Sequence, residues 1–195
     1  MKPIKLLGIA GFSRSGKDTF FGCLKEINPA FIRGSFADKV KEHTRVVIKT
    51  AHDIDIFECT PEQKEFCRPI LINYAVLMRQ ESNGKFWIDE LEKNVKPYLE
   101  EGKRIVAITD VRYKNETEWV QSLGGKVVHL KKYITNNGSK MYQNAPNNEE
   151  KENDPQVEAI ADLHFEWEHG FPTSHRVNQI KEFFKTHNYE IQTSK

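Results

Sequence analysis

The sequence predicts an α/β fold built around a mainly parallel sheet. Two short, strongly apolar runs, residues 4–10 and 104–109, end abruptly at Gly11 and Asp110 and read as buried strands. Between and after them, apolar residues recur at helical spacing, so strands and helices alternate. The third observation is negative: the 195 residues show no internal repeat and no long linker, which favours one domain with a lid rather than an array.

Taken in order, the first strand (4–10) runs into a Gly- and Ser-rich turn. A helix follows from about Lys17 to Glu26 and is closed by Asn28-Pro29. Residues 31–36 make a second strand, and 37–50 a helix whose apolar face carries Val40, Val47 and Ile48. Thr60-Pro61-Glu62 is a helix start, with Thr60 as cap and Pro61 in the first helical position. That helix holds Phe66, Ile70, Leu71, Tyr74, Leu77 and Met78 at helical spacing and ends at Asn83-Gly84; another follows to about Leu99. The strand 104–109, a short helix (about 115–123), Gly124-Gly125 and a strand at 126–130 complete a further unit. From Tyr133 to about residue 157 the composition turns polar and reads as a lid or mobile loop, with Glu149-Glu150-Lys151-Glu152 a solvated run. A last strand at 161–167 and a closing helix at 174–187 end the pattern.

Charge is balanced, 29 basic against 28 acidic residues, which argues against nucleic acid or an anionic membrane as the main partner. Cys23, Cys59 and Cys67 include no C-x-x-C pair, so a reducing cytoplasm is the expected home. No apolar run approaches the roughly 20 residues that span a bilayer. The seven histidines show no zinc spacing, and Ser13 and Ser15 lack the G-x-S-x-G context of a serine hydrolase.

The chemistry concentrates in Gly11-Phe-Ser13-Arg14-Ser15-Gly16-Lys17-Asp18-Thr19, which matches G-x-x-x-x-G-K with Asp in place of the usual Ser or Thr. Strand before and helix after are the context the motif requires. Glycines let the backbone wrap phosphate oxygens, the helix start adds partial positive charge, and Lys17 reaches the β- and γ-phosphates. Asp18 holds Mg²⁺, pairs with an arginine such as Arg14, or is an ordinary first-turn acid; Thr19 is placed to hydrogen-bond a phosphate. Asp110, at a strand end, is a second Mg²⁺ candidate or a turn former, and Arg112 beside it supplies a cation for the transferred phosphoryl group. Arg68 and Arg79, on one helix, are candidates for an acceptor phosphate or for plain surface groups.

Several segments together resemble the phage-type deoxynucleoside monophosphate kinases, whose P-loop is also similar to that of animal phosphomevalonate kinases. They are Gly11 to Thr19, Ser35-Phe-Ala-Asp-Lys-Val-Lys41, Lys64-Glu65 with Arg68, Tyr74 and Arg79, Phe86-Trp87, and Thr109-Asp-Val-Arg-Tyr-Lys-Asn-Glu116 with Gly124-Gly125. The resemblance covers roughly residues 4–131. It implies a three-layer, adenylate-kinase-like P-loop fold with a five-stranded mainly parallel sheet, a helical acceptor region at about 37–100 and a short lid at about 133–157. It further implies phosphoryl transfer from Mg·ATP to a (deoxy)nucleoside 5′-monophosphate. Lys17 would contact the donor, Arg68, Arg79 and Arg112 the phosphates, and Phe36, Ala37, Asp38 and Lys41 the acceptor. The family's His-x-Ser/Thr-Glu element and Asn-Asp-Gly turn are missing, and the lid offers Lys131, Lys132, Lys140 and Lys151 but no arginine. Two alternatives stay open: another phosphorylated metabolite as acceptor, such as phosphomevalonate, and a nucleotide-binding protein without catalysis. The expected partners are nucleotides and at most a second copy of the chain as a homodimer.

Overall fold

The computed structural model describes residues 1–170 and 172–191. Its contacts cluster in two compact units, Met1–Gly34 with Val95–Lys195, and Ser35–Asn94. Among the described residues no helix is long and apolar enough to cross a membrane.

The first unit holds the sheet. Its strands are β1 (Lys2–Pro3), β2 (Leu6–Ala10), β3 (Phe31–Gly34), β4 (Ile105–Val111), β5 (Lys126–Asn136), β6 (Ser139–Tyr142), β7 (Leu163–Glu168) and β8 (Tyr189–Glu190). The helices of this unit are α1 (Lys17–Ile27), α5 (Lys114–Ser122), α6 (Asn148–Ile160) and α7 (Thr173–Thr186). Strands β3, β4, β2, β5 and β7 are parallel neighbours in that order. Strand β6 adds an antiparallel hairpin partner to the far end of β5, so the expected five-stranded parallel sheet carries a sixth strand. Counting only the five parallel strands along the chain, the order is 2-3-1-4-5, and the Gly-rich turn leaves the central one. A separate parallel pair, β1 with β8, joins Lys2 to Tyr189.

Both faces of the sheet are covered, which is why β2 and most of β4 are apolar without alternation. Leu7, Ile9, Ala107, Val128, Leu130, Phe165 and Trp167 pack with Phe20 and Leu24 of α1 and Val177, Ile180 and Phe184 of α7. Each of the buried Val, Leu, Ile and Phe side chains contributes roughly 1.5–3 kcal/mol by leaving water. Helix α5 covers the other face: a methyl group built on Gly8 would meet Val111, Val120 and Val127.

The second unit contains α2 (Phe36–His52), α3 (Pro61–Glu81) and most of α4 (Phe86–Glu101). Ser35 caps α2 and Thr60 with Gln63 forms a capping box on α3. Ile48, Ile54, Ile56 and Cys67 form its small core, with Ile70 and Leu71 against it. Trp87 is buried and donates its indole N–H to the Ala75 carbonyl at 3.0 Å, so it packs this layer. Val47, Phe66 and Leu77 belong to the expected apolar faces, yet each is half exposed or more, because spacing marks a face without saying how much of it is covered.

The polar stretch 133–157 is not a loop. Strand β5 continues to Asn136, turns through Asn137-Gly138 into β6, and α6 follows, capped by Asn147. Glu149 to Glu152 are therefore the first turns of a helix, and Glu150 is buried.

Candidate active site

The turn after β2 is held from below by residues far along the chain. Gly11 has φ +118°, and a methyl group there would lie 2.4 Å from the Leu130 carbonyl oxygen. Gly16 has φ +98°, and a methyl group there would lie 2.2 Å from the Trp167 ring. Only glycine fits either place. The Trp167 indole N–H donates to the Ser15 carbonyl at 2.8 Å, the Gln143 amide to the Ser13 carbonyl at 2.6 Å, and Lys132 to the Arg14 carbonyl. With its carbonyls tied down, the loop presents its outer side to a ligand. Gly16 is the N-cap of α1 and offers no side-chain acceptor, so the first amides of that helix have no side-chain cap. The buried Ser15 hydroxyl has no hydrogen-bond partner. An oxyanion at the helix start would satisfy these donors, so the residues fit a phosphate chain.

Lys17 leads into this cradle, donating to the carbonyls of Gly11 (2.6 Å) and Phe12 (2.8 Å). Burial, and then the Arg112 guanidinium, lower its pKa to about 8, against opposing pulls from Glu150, Asp110 and Asp154. Asp110 lies one residue inside β4, where an extra residue sets three steps of that strand against two of β2. That bulge turns the strand end beside the loop. Arg112 follows, and its turn is fixed by the buried Glu116, which accepts the backbone N–H of Arg112 (2.8 Å) and Tyr113 (3.2 Å). This gives the Asp-Val-Arg-x-x-Asn-Glu stretch a physical reason: the glutamate holds the arginine's backbone.

Two further groups enter from distant sequence. Glu150, at the start of α6, accepts the Ser13 N–H at 2.6 Å and the Arg112 guanidinium at 3.0 Å. Arg33, at the end of β3, donates to Thr109 Oγ1 at 2.9 Å and lies 4.0 Å from Asp18. The Asp18 side chain is 90% exposed and stands in the first turn of α1. Arg14 is exposed and has φ +64°, while Thr19 is half-buried. Asp18 and Asp110 are the carboxylates of this unit that the sequence offers to Mg²⁺. A third group, His129, Asp154 and Glu158, brings three donors close together, but Lys131 already pairs with Glu158 and Asp154 with His129 at 3.0 Å.

The structure thus gathers Gly11, Ser13, Ser15, Gly16, Lys17, Asp110 and Arg112 in the first unit. Arg14, Asp18 and Thr19 belong to the same unit, and the expected acceptor residues Phe36, Ala37, Asp38, Lys41, Arg68 and Arg79 lie in the second. Phe36 is buried, Ala37 exposed, and Asp38 pairs with Lys41 at 2.9 Å. Arg68 is bound to Glu65 through two bonds of 2.7 and 2.5 Å. Arg79 stands in the last turn of α3; with α3 unbroken, the two arginines are roughly 16 Å apart along its axis, which does not bring them together. His43 also belongs here: it meets Tyr74 at 3.3 Å and Glu90 at 3.1 Å, edge-on to Phe86 and Trp87. No sequence pattern marks it.

No family model matches the chain, and no curated protein matches it. Solved structures do. TT1252 from Thermus thermophilus superposes with a TM-score of 0.50 at 13% identity, over 96% of this chain and 98% of that one. A sugar kinase from Janibacter sp. HTCC2649 gives 0.49 at 12% identity over 94% and 95%, and shikimate kinase from Aquifex aeolicus vf5 gives 0.45 at 17% over 94% and 98%. At such identities the likeness is one of fold. With TT1252 this chain shares an α/β fold with a mostly parallel sheet, here in the order 2-3-1-4-5 with the G-x-x-x-x-G-K loop leaving the central strand.

Proposed function

We propose that this protein is a P-loop phosphotransferase that moves the γ-phosphoryl group of ATP onto a (deoxy)nucleoside 5′-monophosphate. The observation that carries the reading is the convergence of Lys17 and Arg112 on a backbone cradle at the start of α1, with Asp110 alongside. Phosphoryl transfer asks little of a protein beyond position and charge, and these groups supply both. Lys17 balances the donor phosphates and Arg112 the charge on the transferred group. Asp110 and Asp18 are the carboxylates that would hold Mg²⁺, which would supply further neutralisation of the phosphate oxygens. The acceptor class rests on the resemblance around Phe36 to Lys41, Arg68 and Arg79, which assigns Phe36, Ala37, Asp38, Lys41 and the two arginines to the acceptor.

The test is a coupled measurement of ADP release across all common NMPs and dNMPs, with phosphomevalonate and other phosphorylated metabolites as further acceptors. A monophosphate that raises ADP release in a Mg²⁺-dependent way supports the reading; turnover only with another metabolite moves the acceptor; ATP binding without turnover on anything rejects catalysis. Lys17→Ala is expected to lower turnover by about two to three orders of magnitude with the fold intact, as judged by circular dichroism.

A further inference from the structure

Glu150 is a buried carboxylate that sequence reading leaves in solvent, and it sits on phosphate-binding hardware. One oxygen accepts the Ser13 N–H at 2.6 Å and the other the Arg112 guanidinium at 3.0 Å. Its side chain is 7% exposed against 42% for Arg112. Helix α6 delivers it there: Asn147 caps the helix by accepting the Glu150 backbone N–H at 2.8 Å, which fixes where the side chain starts. Lys17 lies close enough to feel both members of the pair, Arg112 and Glu150, and also Asp110 and Asp154.

A buried carboxylate needs cations and N–H donors, and a phosphate oxygen seeks the same partners. The Ser13 amide lies at the opening of the loop, whereas the uncapped amides at Gly16 and beyond lie at its helix end. Arg112 acts on Lys17, the residue that reaches from the β- to the γ-phosphate. The Ser13–Arg112 pair therefore marks the terminal end of a bound phosphate chain, and the helix start marks the inner end.

We propose that Glu150 is the resting counter-anion of the γ-phosphoryl position, so that the terminal phosphate of a triphosphate replaces its carboxylate on Ser13 and Arg112 while a diphosphate leaves it in place. The inference rests on the phosphotransferase reading and makes Glu150 a specificity determinant. It sets the affinity difference between the ATP and ADP states: Glu150 opposes the triphosphate and does nothing to the diphosphate. After transfer its carboxylate returns to the two donors, which then need no phosphate to satisfy them.

Calorimetry tests this on the full chain without any acceptor. Wild type, Glu150→Gln and Glu150→Asp are titrated in Mg²⁺ with ADP and with the β,γ-imido analogue of ATP. Glu150→Gln is expected to tighten the triphosphate analogue about tenfold and to change ADP by less than about twofold. Glu150→Asp, one methylene too short to span both donors, is expected to tighten the analogue about threefold and covers the case in which the amide variant does not fold. Equal tightening of both nucleotides, no change, or weaker triphosphate binding overturns the proposal. Wild type binding neither nucleotide overturns the phosphotransferase reading itself, a result distinct from the other three.

Discussion

Lys17 is a cation held half-buried beside another cation, and its chemistry follows from that. Its pKa is lowered from 10.5 to about 8, first by burial and then by Arg112. Protonated Lys17 therefore costs stability in the protein without ligand at any pH below about 8. That cost fades as pH rises from about 8 to 10.5 and is gone above. Lys17→Met is thus expected to stabilise the ligand-free protein by about 1–3 kcal/mol at pH 7 and by little at pH 10.5, in urea denaturation at both values. A residue retained at such a cost is retained for what it binds. Glu116 and Arg112 show how far residue-scale reading reaches: five residues of sequence hold both the arginine and the group that fixes its backbone. Glu150 was out of reach. Its one local signal is Asn147 three places before it, an N-cap spacing, and the surrounding polar composition, with Pro155 beyond, hides the helix.

At the scale of elements, the loop between β2 and α1 was legible because its glycines, its lysine and the flanking strand and helix are contiguous. What supports it was not, because Trp167, Gln143, Lys132 and Glu150 reach it across more than a hundred residues. Trp167 is both floor and clamp, and two substitutions separate the roles. Gly16→Ala meets the ring at 2.2 Å in a left-handed backbone and is expected to cost more than about 2 kcal/mol and to abolish ATP binding. Trp167→Phe keeps a ring under Gly16 but loses the bond to Ser15, at an expected cost of about 1 kcal/mol plus that of the smaller ring. Denaturant titration with parallel ATP titration distinguishes them. Strand ends were read less well than strand centres: β4 runs past Asp110 through its bulge, and β5 runs six residues beyond Leu130, because β6 and β7 give it partners that its own sequence does not announce.

For the whole molecule, the alternation of strands and helices foretold a parallel sheet, and the 2-3-1-4-5 order is what right-handed crossovers allow. Residues 35–94 group as a separate compact unit, where the sequence shows a run of helical patterns and the resemblance implies a helical region at about 37–100. A ligand that binds the first unit's loop should raise the stability of the fold that holds it. With Mg·ATP at a hundred times its dissociation constant the gain is about 2.7 kcal/mol, which for a chain of this length corresponds to roughly 5–10 °C in Tm. Differential scanning fluorimetry is expected to show that shift in wild type and none in Lys17→Ala.

The indole beneath Gly16 has one more use. Its emission depends on the polarity and hydrogen bonding around it, and here those are set by the Ser15 carbonyl and the loop backbone. Trp87 and Trp119, both buried, are the other two indoles of the chain, and Trp87→Phe with Trp119→Phe would leave a single fluorophore. The protein thus carries an optical reporter directly beneath its Gly-rich loop, readable without dye or label.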